Sequence, residues 1–310
     1  MKKHLIISHF EKHAKFENKR LAIVCDNEEV SYYQLNQRAN IIANYLIKIG
    51  VKQGTLVAIL LPRSIDFIAV VLAILKVGGC YVPIDPTLPE ERIRIIIKDA
   101  GVSFLTTFRD IDIPSINIIN IDVIKKTKKD AHKGNLPPIG DKNDKMYVIY
   151  TSGSTGTPKG AVNTYKGFMN LVEWYASVFR MSSEDRILIY TSLSFDLTQK
   201  NIFGPLIKGA TIFLIKDGPY NPDLIVDNIY KSKITWINST PSAFYPLIED
   251  GRDLKKLSSL RYVFVGGEPL FVERIAHIRK DLPNLNIVNT YGPTECADVC
   301  SFYLLWRPKF

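Results

Sequence analysis

The sequence predicts an α/β protein whose mostly parallel sheets are covered by helices on both faces. Three observations lead there. Short runs rich in Val and Ile recur along the chain, helix-length segments separate them, and Gly, Pro and Ser/Thr-rich turns punctuate the alternation. Buried β-branched strands alternating with helices are the pattern of a parallel sheet with no wet face. In such sheets ligands sit beyond the carboxyl ends of the strands, and the polar motifs of this chain lie there.

The elements follow in order. Ser31 with Gln34 makes a capping box. Leu35, Ala39, Ile42, Leu46 and Ile49 then share one helical face, and Gly50 ends it. Val57–Leu61 reads as a strand, Asp66–Val77 as an apolar helix stopped by Gly78-Gly79, Glu90–Lys98 as a helix and Ser103–Thr107 as a strand. Residues 110–140 are irregular around a strand at Ile116–Ile121, which puts an internal boundary near 110–145. Strands at Tyr147–Tyr150, Ile187–Tyr190, Ile212–Ile215, Thr235–Asn238, Tyr262–Val265 and Asn286–Asn289 follow, with one more at Phe302–Trp306. Asn221-Pro222-Asp223 opens a helix with an N-cap, a Pro and an acid.

Composition narrows the function. The 310 residues are 46% hydrophobic and 23% charged, the balance of a soluble globular protein. No run of 18 uncharged apolar residues predicts a membrane span, and His9, Glu11 and Lys12 interrupt any signal-peptide core, so a cytoplasmic protein is expected. Cys25, Cys80, Cys296 and Cys300 have neither CxxC nor zinc spacing and read as reduced thiols, most of them buried. The net charge is +9, but the one dense basic run, Lys125-Lys126-Thr127-Lys128-Lys129, has no interleaved aromatics and reads as a solvated loop rather than a nucleic-acid surface.

The chemistry is concentrated in two turns. After the strand Tyr147–Tyr150 comes Thr151-Ser152-Gly153-Ser154-Thr155-Gly156-Thr157-Pro158-Lys159-Gly160. Glycines that expose backbone N–H groups, a row of hydroxyls and the Lys159 cation suit a polyphosphate. A Walker A loop is excluded by spacing: Pro158 stands five positions after Gly153, and Gly160 replaces the hydroxyl residue that would follow Lys159. The second turn, Asn289–Glu295, can present an aromatic face at Tyr291, a hydroxyl at Thr294 and a carboxylate at Glu295. An aromatic stacks on adenine, a hydroxyl bonds a phosphate oxygen, and a carboxylate can hold magnesium.

YTSGSTGTPKG resembles the phosphate loop of the adenylate-forming superfamily, and four further stretches resemble its motifs in the family's order: VSYYQLNQRAN (30–40), LKVGGCYVPIDP (75–86), Gly266-Gly267-Glu268 and NTYGPTE (289–295). Within it the chain is most similar to the adenylation domains of nonribosomal peptide synthetases. The resemblance implies two doubly wound subdomains layered αβαβα, and activation of an acid by attack of its carboxylate on the α-phosphorus of ATP. It implies that Thr151, Ser152, Gly153, Ser154, Thr155, Gly156 and Lys159 hold phosphates. It also implies that Gly267, Glu268, Asn289 and Tyr291 surround adenine, that Thr294 meets the α-phosphate, and that Glu295 holds magnesium.

Ser194-Phe195-Asp196-Leu197 resembles the synthetase segment whose aspartate binds an amino acid's α-ammonium. A carboxylate against –NH3+ separates amino acids from other acids, although an aspartate at that place also caps a helix. The family's pocket pattern maps onto Asp196, Leu197, Lys200, Ser239, Phe264, Gly266, Thr290, Asp298 and Val299. Lys200 alone favours an acidic side chain and Asp298 alone a basic one; paired, they favour neither. Tyr165 stands where many relatives carry His. The β-barrel, hinge and lid that relatives carry beyond the Tyr-Gly-Pro-Thr-Glu motif have no counterpart in these 310 residues. The expectation is therefore an incomplete amino-acid-activating enzyme, nearly inactive alone, that would meet a phosphopantetheine carrier or downstream module in trans. The alternative is a non-catalytic fragment that binds ATP or an amino acid.

Overall fold

Ser31 and Gln34 close the capping box that their spacing predicts. The Ser31 hydroxyl oxygen accepts the Gln34 N–H at 3.2 Å, and the Ser31 N–H donates to Gln34 Oε1 at 2.8 Å. Two otherwise orphaned donors are thereby satisfied, and the helix they launch buries Leu35, Ala39, Ile42 and Leu46. The architecture comes from a computed structural model that describes residues 5–16, 19–109, 111–126, 133–151, 158–249 and 251–306.

In chain order, helix α1 (Leu5–Phe16) leads into a hairpin of β1 (Leu21–Cys25) and β2 (Glu28–Ser31). Then come α2 (Tyr32–Lys48), β3 (Leu56–Leu60), α3 (Ile65–Lys76), β4 (Cys80–Pro83), α4 (Glu90–Ala100), β5 (Phe104–Thr107), β6 (Asn117–Asn120) and α5 (Ile121–Lys126). A second hairpin, β7 (Lys145–Thr151) and β8 (Lys159–Thr164), precedes α6 (Tyr165–Val178), β9 (Arg186–Ile189), α7 (Asp196–Lys208) and β10 (Thr211–Leu214). The rest is α8 (Pro222–Ser232), β11 (Trp236–Ser239), α9 (Pro241–Phe244), β12 (Tyr262–Gly266), β13 (Asn286–Tyr291) and β14 (Ser301–Leu304).

Among the described residues, six strands form one sheet in the order β6-β5-β3-β4-β7-β8, and eight form the other, β14-β13-β12-β11-β9-β10-β1-β2. Neighbours run parallel except within the hairpins β1/β2, β7/β8 and β13/β14. The layering is αβαβα, as the resemblance implied. Between the sheets lie α2, α3, α6 and α7. The α3 sequence is apolar all round, which is the pattern of a helix with no solvent face: every residue but Asp66 is buried, against β1 of one sheet and β3 and β4 of the other. On the outer faces, α4 buries Ile93, Ile96 and Ile97, and α8 buries Ile225, Val226 and Ile229. Each fully buried side chain of this size contributes about 1.5–3 kcal/mol.

Polar groups lock the two sheets together at their carboxyl edges. Arg63, in the loop after β3, is buried and donates to the carbonyls of Thr191 (2.7 Å), Lys216 (3.1 Å) and Ile215, and pairs with Asp217 at 3.2 Å. Its planar fork spans acceptors that a lysine could not bridge together. Ser192 donates to Asp85 Oδ2 at 2.6 Å across the same junction.

Several elements were not anticipated. Helix α1 and the β1/β2 hairpin precede the first element read from sequence, and the hairpin extends the eight-stranded sheet through Ile23 beside Ile212. Residues 111–126 carry β6, which matches the predicted strand at Ile116–Ile121, and α5, which was not predicted. Strands β3 to β8 belong to the six-stranded sheet, and the chain crosses between sheets at α2 and again at α6. The cysteines correct an expectation: all four are free, but only Cys25 and Cys80 are buried, because Cys296 and Cys300 sit in an exposed turn. Lys125, at the start of the basic run, pairs with Asp66. Among the described residues no helix is long and apolar enough to cross a membrane.

Candidate active site

The site grows from the carboxyl ends of β11, β12 and β13. After Tyr291 the chain turns through Gly292-Pro293 into a single 3-10 turn, Thr294–Cys296, and returns so that the Cys300 N–H donates to the Tyr291 carbonyl at 2.9 Å. Gly292 permits the close approach: a Cβ there would lie 2.1 Å from the Asp298 carbonyl oxygen, so any other residue would have to displace backbone. Ala297 and Asp298 carry φ of +62° and +101°, left-handed conformations costing about 1–3 kcal/mol for residues with a side chain. This turn sends the Asp298 carboxylate inward.

Asp196 meets that turn from α7. The N-cap of α7 is Phe195, so Asp196 is the first helical residue rather than the cap. Its Oδ1 accepts the Leu197 N–H at 2.7 Å, and its Oδ2 accepts the Thr294 hydroxyl at 2.5 Å. Partial positive charge at a helix start favours a carboxylate. One turn deeper, Lys200 donates to Asp298 Oδ2 and to the Leu197 carbonyl at 3.2 Å, with its Nζ 5.8 Å from the Tyr175 ring centre. The Lys200 side chain is 0% exposed and that of Asp298 11%. Burial pushes the Asp298 carboxyl up, Lys200 opposes that, and the Asp196 charge adds to it. Of the alternatives left open by sequence, the structure has the pair.

The other sequence-derived positions divide. Gly266 lets β12 and β13 approach: a Cβ there would be 2.5 Å from Thr290 Oγ1, and that hydroxyl donates to the Val265 carbonyl at 3.2 Å. Ser239 is fully buried and donates to the Thr240 carbonyl at 3.0 Å. Phe264 is fully buried in an aromatic cluster, 4.9 Å from Tyr175 and from Phe179 and stacked on Trp236. Leu197 and Val299 are half-buried. Gly267 has φ of +84°, and Glu268 accepts the N–H and hydroxyl of Ser242 at 2.9 and 2.8 Å. Asn289 is half-buried opposite Tyr303, while Tyr291 and Glu295 are exposed.

Thr151 and Lys159 face each other at the base of the β7/β8 hairpin. The predicted phosphate loop therefore joins two antiparallel strands. Ser152, Gly153, Ser154, Thr155 and Gly156 lie outside the described residues. Tyr165 is buried at the first position of α6, and burial raises its hydroxyl's pKa.

Asn163 was missed by sequence reasoning. It is buried on β8, and its amide donates to the Thr294 carbonyl at 2.9 Å, tying the phosphate-loop hairpin to the second turn. Its signal is parity: once β8 is a strand, Ala161 and Asn163 point inward together, and a buried amide needs a partner.

The layered fold and the meeting of these motifs at one sheet edge point to the AMP-binding family. The profile of the family described as AMP-binding enzyme matches residues 10–309, and the chain belongs to that family. Within it the chain is homologous to adenylation domains of nonribosomal peptide synthetases. It is 38% identical to bacitracin synthase 3 of Bacillus licheniformis over 94% of this chain and 4% of that protein. It is 33% identical to tyrocidine synthase 3 of Brevibacillus parabrevis over 96% of this chain and 5% of that protein. The chain thus spans a small part of the curated relatives it matches. Among solved structures, the AMPPNP-bound form of the nonribosomal peptide synthetase FmoA3 superposes with a TM-score of 0.91 at 29% identity, covering 99% of this chain and 33% of that one. The N-terminal subdomain of Klebsiella oxytoca NpsA shares the fold, with a TM-score of 0.88 at 21% identity over 98% of this chain and 76% of that one.

Proposed function

We propose that this chain activates an amino acid as its aminoacyl-adenylate, at the expense of ATP, for a nonribosomal peptide synthetase. The observation that carries the reading is the hydrogen bond from Thr294 to Asp196. It brings a hydroxyl of the nucleotide motif to the carboxylate suited to an α-ammonium, in a chain of the AMP-binding family. Asp196 takes the ammonium and so aims the substrate carboxylate at the α-phosphate, where Thr294 bonds a phosphate oxygen. A carboxylate oxygen attacks the α-phosphorus, and the bond to the bridging oxygen breaks with its electrons leaving on pyrophosphate. Lys159, Thr151 and the hydroxyls between them hold the outer phosphates. Gly267, Glu268, Asn289 and Tyr291 frame the adenine. Positioning and charge balance do the catalytic work, with no covalent protein intermediate.

The donor set fits magnesium. Glu295 offers an exposed carboxylate at the edge of the site. That suits a hard cation bound through one carboxylate, substrate phosphates and water. When bound, magnesium supplies charge neutralisation at the polyphosphate. The acceptor is the phosphopantetheine thiol of a carrier protein or downstream module, and the compartment is the cytoplasm, where ATP is supplied.

The test is binding of a stable aminoacyl-sulfamoyl adenosine to the full chain by titration calorimetry. It should bind far more tightly than AMP or the amino acid alone. Equal affinity for the analogue lacking the amino group would sink the amino-acid reading.

A further inference from the structure

We propose that the buried Lys200–Asp298 pair restricts the activated amino acid to one with an uncharged, hydrogen-bond-donating side chain, a hydroxyl or a carboxamide. The inference rests on Asp196 as the ammonium site. Asp196 and Lys200 are one turn apart on α7 and share a face, about 5–6 Å from each other. A side chain of two to four heavy atoms on a substrate anchored at Asp196 is long enough to reach the pair.

Charge counting sets the class. Asp196, Asp298 and Lys200 together carry one net negative charge, and the substrate ammonium balances it. A carboxylate side chain would leave an excess negative charge beside Asp298 and Asp196, and a cationic side chain an excess positive charge beside Lys200; buried excess charge is costly. Lys200 cannot serve an acidic substrate, because its side chain is 0% exposed and its ammonium is engaged by Asp298 and the Leu197 carbonyl. The Asp298 side chain is 11% exposed, and the bond from Lys200 goes to Oδ2, which leaves the Oδ1 edge to a ligand. That edge is an acceptor. An apolar side chain would cover it without a donor, which costs the desolvation of the unpaired group.

The experiment titrates the full chain, with AMPPNP and magnesium present, with isosteric amino acids: asparagine against aspartate, glutamine against glutamate, threonine against valine, and lysine. The deaminated acid of the best binder serves as a control. At least one neutral donor should bind about tenfold or more tightly than its isostere and than lysine. The double variant Lys200→Met/Asp298→Leu removes both charges together, which is often neutral for a buried pair. Leucine at 298 must take the positive φ of that position, so the thermal midpoint is measured first; Lys200→Met/Asp298→Asn, whose asparagine tolerates that φ, stands in if the variant does not fold. Its preference should move to valine or leucine while it still rejects the deaminated acid. Preference for aspartate, glutamate, lysine or valine in the unaltered chain would overturn the proposal, as would unchanged selectivity in the folded double variant. A deaminated acid that binds as tightly as its amino acid, or the absence of any amino-acid binding, would instead overturn the ammonium reading beneath it.

Discussion

The Thr294 hydroxyl donates to Asp196 Oδ2 at 2.5 Å, joining residues 98 positions apart in the chain. The group suited to a phosphate oxygen and the group suited to an ammonium thus share one hydrogen bond. In the proposed reaction, each reactant would meet a side chain already held by the other of the two.

Asp196→Asn should remove the charge that distinguishes amino acids from other acids. Loss of a charge-assisted contact of this kind corresponds to roughly 10- to 100-fold in affinity. Calorimetry with AMP present should show that loss for the amino acid and little change for its deaminated counterpart. Parallel losses for both would mean that Asp196 supports the loop and does not bind the ammonium.

Glu295 is exposed, so Glu295→Gln should leave the thermal midpoint nearly unchanged, as surface substitutions generally do within about 0.5 kcal/mol. The enhancement of ATP affinity by magnesium should fall about tenfold or more, toward none. A variant with the full magnesium effect would place the cation on another group.

Gly292→Ala tests the tight turn. The added Cβ would sit 2.1 Å from the Asp298 carbonyl oxygen and 2.8 Å from the Cys300 nitrogen, backbone atoms on both sides. Overpacking of this kind costs about 1–3 kcal/mol. The midpoint should drop by several degrees and amino-acid affinity should fall with it, because Asp298 moves. A wild-type midpoint would show that the turn has room.

Asp85 gives a pH signature. Burial raises its pKa, but hydrogen bonds from Ser192 and Thr87, with the Arg63 charge, outweigh burial and hold it below the usual carboxylate value. A carboxyl depressed in the folded state stabilises fully above its unfolded pKa, near ~3.9, and loses that contribution as pH falls through the folded value. The wild-type chain should therefore melt above Asp85→Asn at pH 6, with the gap closing on acidification below about pH 4. A constant gap from pH 6 to pH 3 would mean that the Asp85 charge contributes nothing.

Most of the fold could be read where periodicity and end signals agreed. The α2 capping box, the Asn221 cap of α8 with its N–H contact from Leu224 at 3.1 Å, and the parallel strands β3, β5, β7 and β9 to β13 are such cases. Elements that were missed lacked one of the two signals. In β8, KGAVNT mixes a glycine and exposed polar residues, so its strand character comes from pairing with β7. The four residues of β4 follow two glycines and depend on β3 and β7 for pairing. At the site, residue types suggested chemistry but not partners. The Lys200–Asp298 pair was one of several readings until the turn geometry joined the two. Asn163 carries no motif at all, and only the register of β8 shows what it holds.

That register makes β8 a gauge. Lys159 stands at its start and Asn163 four residues on, a span of about 13 Å at ~3.3–3.4 Å per residue, and both point the same way by parity. Substitution at Val162, exposed between them, leaves the gauge intact. Inserting or deleting one residue between the two would turn either the cation or the amide to the opposite face. Position 162 can thus change its side chain while the length of the segment stays fixed by the two groups at its ends.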